Sequence, residues 1–416
     1  MKKMWKRLLA AGLSVSLALS LAACGRGSTA QDMMDDINPQ KISQMEPLNE
    51  PGAEALTDFG VRLIQSTAKA GESTLLSPLS VLTALSMTAN GADGETKAQM
   101  EKVLGMKVEE LNGYLHSYLT QLNQGGALKP ANSIWFADDE RFTIKQDFLQ
   151  LNADYYGADI YKAPFDQNTC RDINNWVKDK TDGMIPEILD EIPTDAIMYL
   201  INALSFEGEW IETYEENSVR EHDFILADGT KKTVEFLHGE ERNYLECDLG
   251  TGFIKPYKGD KYAFAALLPK EGKTVEELVA SLDGKTLHDL LTHPSQEEVI
   301  TSIPKFKTDY STELREILSN MGMPLAFDEE NADFSKLGSS AEGNIYLSRV
   351  LHKTFLELGE KGTRAGAATV VEAKCESAAP VDTPKMVILD RPFLYMLVDM
   401  ESGVPFFVGT MQDPAA

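Results

Sequence analysis

Six histidines are the natural starting point for metal or general-base chemistry: His116, His222, His238, His288, His293 and His352. A helical zinc site needs two of them four residues apart with a glutamate beside the first, and no pair has that spacing. His238 lies near Glu240 and Glu241 and could hold a cation weakly, but a solvated acidic loop is the simpler reading. No Gly-x-Ser-x-Gly elbow raises a serine nucleophile; Gly338-Ser339-Ser340 belongs to a polar stretch. Gly272-Lys273-Thr274 copies the end of a phosphate-binding loop, yet Leu267 stands where its first glycine is required. The chain reads as a protein that is not an enzyme and has neither metal nor cofactor.

The cysteines carry a different chemistry. Lys2, Lys3, Lys6 and Arg7 precede an apolar run from Leu8 to Ala23, which ends in Leu21-Ala22-Ala23-Cys24. At about 1.5 Å per residue that run is too short for a hydrocarbon core of roughly 30 Å, so it reads as a signal peptide and not a span. Its end resembles a bacterial lipobox, which implies cleavage before Cys24 and a lipid on its thiol. An ordinary signal peptide with an incidental cysteine is the alternative. Residues 1–23 would then be lost, and the mature charge would move from -26 to -30 as four basic residues leave. The expected location is the extracellular face of the cell membrane, with the bilayer held through Cys24. Residues 24–52 are rich in Gly, Ser, Thr, Gln, Asp and Pro without a hydrophobic period, and are expected to form a flexible tether. Cys170, Cys247 and Cys375 remain, an odd number that leaves at least one thiol free.

What remains must position any binding surface. The chain has 416 residues, 65 acidic against 39 basic, which excludes a nucleic-acid partner because phosphate contacts need clustered Lys and Arg. Hydrophobic residues make up 43 %, enough for a large core. No linker-like break or internal repeat interrupts 53–414, so one domain is expected there. Leu56, Phe59, Leu63 and Ile64 share a helical face, and Ser77 caps a helix opened by Pro78. A third helix is expected over 172–182. Strand patterns follow at 197–206, 262–268, 298–306, 385–389 and 393–398. Helices first and strands later, without βαβ alternation, indicate an α+β fold.

Residues 360–376 stand apart. Read with the period of two that a strand imposes, Thr363, Ala365, Ala367, Thr369, Val371 and Ala373 are small or apolar. Arg364, Gly366, Ala368, Val370, Glu372 and Lys374 carry all the charge on the other face. Such a segment could enter a sheet with one face on a core; an Ala/Gly-rich surface loop with accidental alternation fits the residues as well.

The segment resembles the hinge and reactive loop of the serpins, whose pattern is Glu-x-Gly-Thr followed by small residues. Four further blocks agree in serial order: LLSPLSVLTALSMTANGADGET (75–96), NNWVKDKTDGMIPEIL (174–189), LINALSFEGEW (200–210) and VILDRPFLYML (387–397). Phe236-Leu237, where two methionines are common, and Gly359 before the hinge glutamate depart from the pattern. The resemblance implies a serpin fold of three β-sheets, about eight or nine helices and an exposed reactive-centre loop at about 360–384. It also implies a suicide-type inhibitor of serine or cysteine proteases. The target protease would be held covalently by a monomeric inhibitor after loop cleavage, acyl-enzyme trapping and strand insertion. The hinge positions would be Glu360, Gly362, Thr363, Ala365, Ala367 and Thr369. Ser77, Ser80, Asn202 and His352 match the shutter beneath the sheet, Trp210 the breach at its top, and Glu360 with Lys305 an ion pair that closes the breach. Family spacing places the reactive bond at Glu376–Ser377, with Lys374 and Cys375 as alternatives because the downstream segment is long. The competing reading is a non-inhibitory serpin-fold binding or structural protein. Such members usually carry bulky, charged or proline residues in the hinge, and the inward face of 363–369 has none.

Overall fold

The computed structural model describes residues 28–42, 46–124, 126–138, 142–193, 196–340, 344–363 and 384–415. Cys24, Ala365, Ala367, Thr369, Lys374, Cys375, Glu376 and Ser377 lie outside the described residues.

Nine α-helices occur among the described residues: α1 (Glu50–Thr67), α2 (Pro78–Ala89), α3 (Gly94–Leu104), α4 (Val108–Leu122), α5 (Gln146–Tyr156), α6 (Gln167–Lys180), α7 (Val275–Ser281), α8 (Gly284–Thr292) and α9 (Arg315–Met321). Local chemistry explains where they begin. Asn49 accepts a hydrogen bond from the Gly52 amide at 2.8 Å and Pro51 occupies the first turn, so α1 starts ahead of residue 53. Asp166 accepts from the amides of Asn168 and Thr169, which draws α6 back to Gln167 from the expected residue 172. Every residue of α2 is buried, because it runs behind a sheet and not along the surface.

The strands form three sheets. The first contains, in chain order, β1 (Gln31–Asp32), β2 (Leu128–Ala137), β3 (Asp159–Ala163), β4 (Met198–Phe206), β5 (Gly208–Glu209), β6 (Phe306–Glu313), β7 (Arg349–Gly359) and β8 (Gly362–Thr363). Across the sheet the order is β1-β3-β2-β4-β7, with β6 antiparallel on the far side of β7. Strands β4 and β7 run parallel, paired from Tyr199↔Arg349 to Leu204↔Thr354. Beyond Thr354 they part, and β8 occupies the space between β7 and β5, antiparallel to both. The second sheet contains the strands Tyr262–Pro269, Ser295–Pro304, Lys385–Ile388 and Phe393–Asp399, which correspond to four of the five expected strand patterns; the fifth is β4. A short third sheet pairs Phe142–Ile144 with Gly338–Ser340. The main core lies between the first two sheets, and a smaller one packs α6 onto the outer face of the first through Ile173, Val177, Tyr199, Ile201 and Leu351.

The expectation of a flexible tether does not hold for the described part of 24–52. Gln31 and Asp32 pair with Lys162 and Tyr161 of β3, and the Met33 amide donates to the Ile160 carbonyl at 2.9 Å. Ile37 is 8 % exposed and belongs to the main core. A segment with few apolar residues and no period still docks when those few meet the body, which periodicity cannot register. No helix among the described residues is long and apolar enough to cross a membrane.

Docking of 28–42 predicts that Ile37→Ala lowers stability by about 2 kcal/mol, at the low end for a buried aliphatic truncation. The thermal midpoint measures it, and an unchanged midpoint would mean that this segment does not hold the body in solution.

Candidate functional site

The residues matched to the shutter meet beneath the seam between β4 and β7. His352 on β7 and Asn202 on β4 are register partners, and both are fully buried. The Ser77 amide donates to His352 Nε2 at 3.0 Å, so the ring proton sits on Nδ1 and is donated to Asn202 Oδ1 at 2.5 Å. Burial pushes the His352 pKa down to about 3, so the ring is neutral and bonds as a fixed donor–acceptor. The Asn202 amide nitrogen donates to Ser80 Oγ and to Asn132 Oδ1, each at 2.7 Å. The chain of bonds therefore crosses three strands and is anchored at the N-terminus of α2, where Ser77 caps the helix. Asn132 is not identifiable from the sequence. Its one signal is an amide side chain inside the apolar strand β2, and nothing marks it as the neighbour of Asn202.

At the top of the same sheet the chain reverses from β7 into β8. Three carbonyls of the turn are held: Gly359 O accepts from Trp210 Nε1 at 3.0 Å, Glu360 O from the Tyr214 amide and Lys361 O from the Trp210 amide, both at 2.9 Å. Trp210 is fully buried and stacks on Tyr257 with ring centroids 4.3 Å apart. Lys255, buried and paired with Glu241 at 2.7 Å, places its ammonium 5.4 Å from the Trp210 ring and 4.7 Å from that of Tyr214.

Gly362 permits the reversal. Its φ is +149°, and a Cβ there would lie 2.0 Å from the Gly208 carbonyl oxygen, so a side chain would push β8 away from β5. Thr363 follows with 1 % exposure, its hydroxyl 2.5 Å from that of Tyr257. The sequence treats Thr363 as a residue waiting outside the sheet; in the structure it is already within it, opposite Leu358 and Gly208. Tyr257 goes unmarked in the sequence because its only signal is a tyrosine at a strand end.

Lys305 and Glu360 do form an ion pair, at 2.7 Å, on the rim of the breach. The ammonium holds the Glu360 carboxyl below its usual range. Lys305 also contacts Glu235 at 2.8 Å, so it is shared between two acids.

That sharing ranks the rim variants. Glu360→Gln leaves Lys305 paired with Glu235 and should change little, within the roughly 0–1 kcal/mol of an exposed pair. Lys305→Ala leaves two carboxylates facing each other, and Glu360→Lys sets two ammoniums side by side, so both should speed loss of the native form on warming. Native gels over time check this; equal rates for all three variants and the parent would remove the pair from the control of sheet opening.

Known proteins give this geometry its context. A model of the family described as "Serpin (serine protease inhibitor)" matches residues 54–414. The native state of tengpin, a thermophilic serpin, superposes with a TM-score of 0.88 at 43 % identity over 92 % of this chain and all of that one. Its latent state gives 0.78 at 42 % identity, so the strand arrangement here is closer to the native form. The human leukocyte elastase inhibitor is 30 % identical over 82 % of this chain and 92 % of its own length. With three sheets, nine described helices and a family match over nearly the whole described body, this chain belongs to the serpins.

Proposed function

We propose that the protein is an inhibitory serpin which traps a serine or cysteine protease by inserting its cleaved loop between β4 and β7. The observation that carries this reading is β8. The chain leaving β7 has already turned and laid Gly362 and Thr363 antiparallel between β7 and β5. Continuing the same register by arithmetic sets Ala365 opposite Phe206 and Leu356, and Ala367 opposite Leu204 and Thr354. Thr369 would stand between Asn202 and His352, whose own pairing obeys the same count. The small side chains 365, 367 and 369 would then all enter the face that packs on α2 and the core.

The energetics favour insertion once the loop is cut. One parallel ladder is exchanged for two antiparallel ones. Twelve inserted residues at about 3.3 Å each would span roughly 40 Å, enough to carry a bound protease along the sheet. About a dozen new backbone hydrogen bonds at roughly 1 kcal/mol each give on the order of 10 kcal/mol before side chains are counted. On the outer face Arg364 would fall between Glu207 and Glu357, both exposed in the native sheet.

Membrane display through Cys24 belongs to the same proposal, on the lipobox-like Leu21-Ala22-Ala23-Cys24. The reactive bond is placed at Glu376–Ser377 by loop spacing, and Glu376 would favour proteases that accept an acidic primary residue.

A panel of serine and cysteine proteases incubated with the protein should yield an SDS-stable complex with at least one of them. Thr363 does not offer a clean test, because arginine there would disturb the native sheet as well as the inserted one. Ala367→Arg is the better variant. It should be cleaved at the same bond but raise the stoichiometry of inhibition by about tenfold or more, since insertion would bury an unpaired charge. Arg364→Glu should act in the same direction more weakly, setting three carboxylates abreast. Trapping by Ala367→Arg at the parent's stoichiometry would exclude loop insertion.

The anchor is tested separately. Cys24→Ser should move the protein from the membrane fraction to the soluble one, or leave an unprocessed precursor. Continued membrane partitioning of a processed Cys24→Ser protein at high salt would show that another element holds it.

A further inference from the structure

We infer that the junction of α1 and α8, by an argument independent of the inhibitory reading, is a site for a divalent cation of the zinc class. One ring nitrogen of His288 and one carboxylate oxygen from each of Glu50, Glu54 and Asp289 all lie within 4.8 Å of one another. Four ligands about 2.1 Å from a zinc ion stand roughly 3.4 Å apart at tetrahedral angles, so modest rotation of partly exposed glutamates closes the shell.

The histidine is what separates this cluster from an ordinary acidic patch. His288 is only 4 % exposed, wedged between α8 and the turn that joins the last two strands of the second sheet, Phe393–Asp399 and Pro405–Met411. Its Nε2 lies 3.0 Å from the Ser402 carbonyl, which can only accept, so that nitrogen carries the proton. Nδ1 keeps the lone pair, is itself buried and has no hydrogen-bond partner in the protein. A buried imidazole fixed by a backbone carbonyl with its second nitrogen free is the arrangement that orients a metal-ligating histidine. Without a cation that lone pair is an uncompensated desolvation cost.

Packing and charge agree. Glu50 and Glu54 are one turn apart on α1, and α8 approaches that helix so closely that a Cβ on Gly284 would sit 2.4 Å from the Asp58 Cβ. Among the described residues the three carboxylates meet one ammonium in ion-pair range, Lys285, which is 3.0 Å from Asp289 and 3.5 Å from Glu54 and largely exposed. The local excess of two negative charges equals the charge of the ion. Imidazole beside carboxylates suits zinc over calcium or magnesium, which take oxygen ligands. Bound there, the ion would join the first turn of α1 to α8 and, through Ser402, to the second sheet.

The probe is zinc alone, added to the purified protein after treatment with chelator. Calorimetry should give one saturable zinc per chain, the thermal midpoint should rise with zinc, and magnesium should move neither. Glu54→Gln and Asp289→Asn, both on partly exposed positions, should each weaken zinc at least about tenfold, and His288→Gln should abolish binding. Lys285→Gln should tighten it, because the competing ammonium is gone. Should His288→Gln fail to fold, the carboxamide pair and Lys285→Gln decide the same question. Absence of saturable zinc binding, or parental affinity in both carboxamide variants, would overturn the site; the second outcome would place zinc at the cysteines or elsewhere.

Discussion

Two parallel strands that agree for six residues and then separate set the terms for the rest of this molecule. β4 and β7 are register partners from Tyr199↔Arg349 to Leu204↔Thr354, and above that point each needs another partner for its backbone. A parallel pair is the weaker ladder, and both strands present their edge groups in the one orientation that an antiparallel newcomer satisfies on both sides. β8 is that newcomer in miniature. The turn that feeds it is gripped by Trp210 and Tyr214 at three successive carbonyls, so the position of β8 is fixed even though most of the seam is closed.

What keeps the seam closed is chemically modest. One neutral histidine and one asparagine join β7 to β4, with α2 supplying the amide and hydroxyl that complete their bonding. Each such bond is worth on the order of 1 kcal/mol, but to part the strands buried polar groups must lose partners together. A residue arriving between them with a hydroxyl, as the count from β8 assigns to Thr369, could replace a partner as it separates the old pair. In the proposed insertion the barrier and its relief would thus use the same few atoms.

Much of this architecture is legible in the amino-acid sequence, and for unequal reasons. The helix at Pro78 is readable because Ser77 and Pro78 are local capping chemistry, and the buried strands because apolar runs do not depend on their partners. Gly362 and Thr363 can be read because Glu-x-Gly-Thr is a local pattern, while the alternation that follows them lies outside the described residues. Asn132, Tyr257 and the charge-sharing of Lys305 with Glu235 are not readable, since each acquires meaning only from a neighbour distant in the chain. The Glu50, Glu54, His288 and Asp289 cluster is the extreme case: more than two hundred residues separate its halves, and no spacing rule connects them. The N-terminal segment misleads differently. Its polar composition suggests freedom, but composition says little about a short stretch that docks through one edge strand, Ile37 and the partly buried Met33 and Met34.

That short stretch also bears on how the first sheet ends. A sheet that takes in a strand at its centre, as proposed for this one, must still refuse other chains at its margins, where unpaired amides and carbonyls invite edge-to-edge growth. On one margin β1 covers part of β3 with only two paired residues, too few to template another chain. On the other margin β6 bears Lys307, Asp309 and Glu313, charges that a docking strand would have to desolvate. Resistance to edge pairing at the rim and the receptivity proposed for the seam would be opposite demands on one sheet, and its borders here are short or charged.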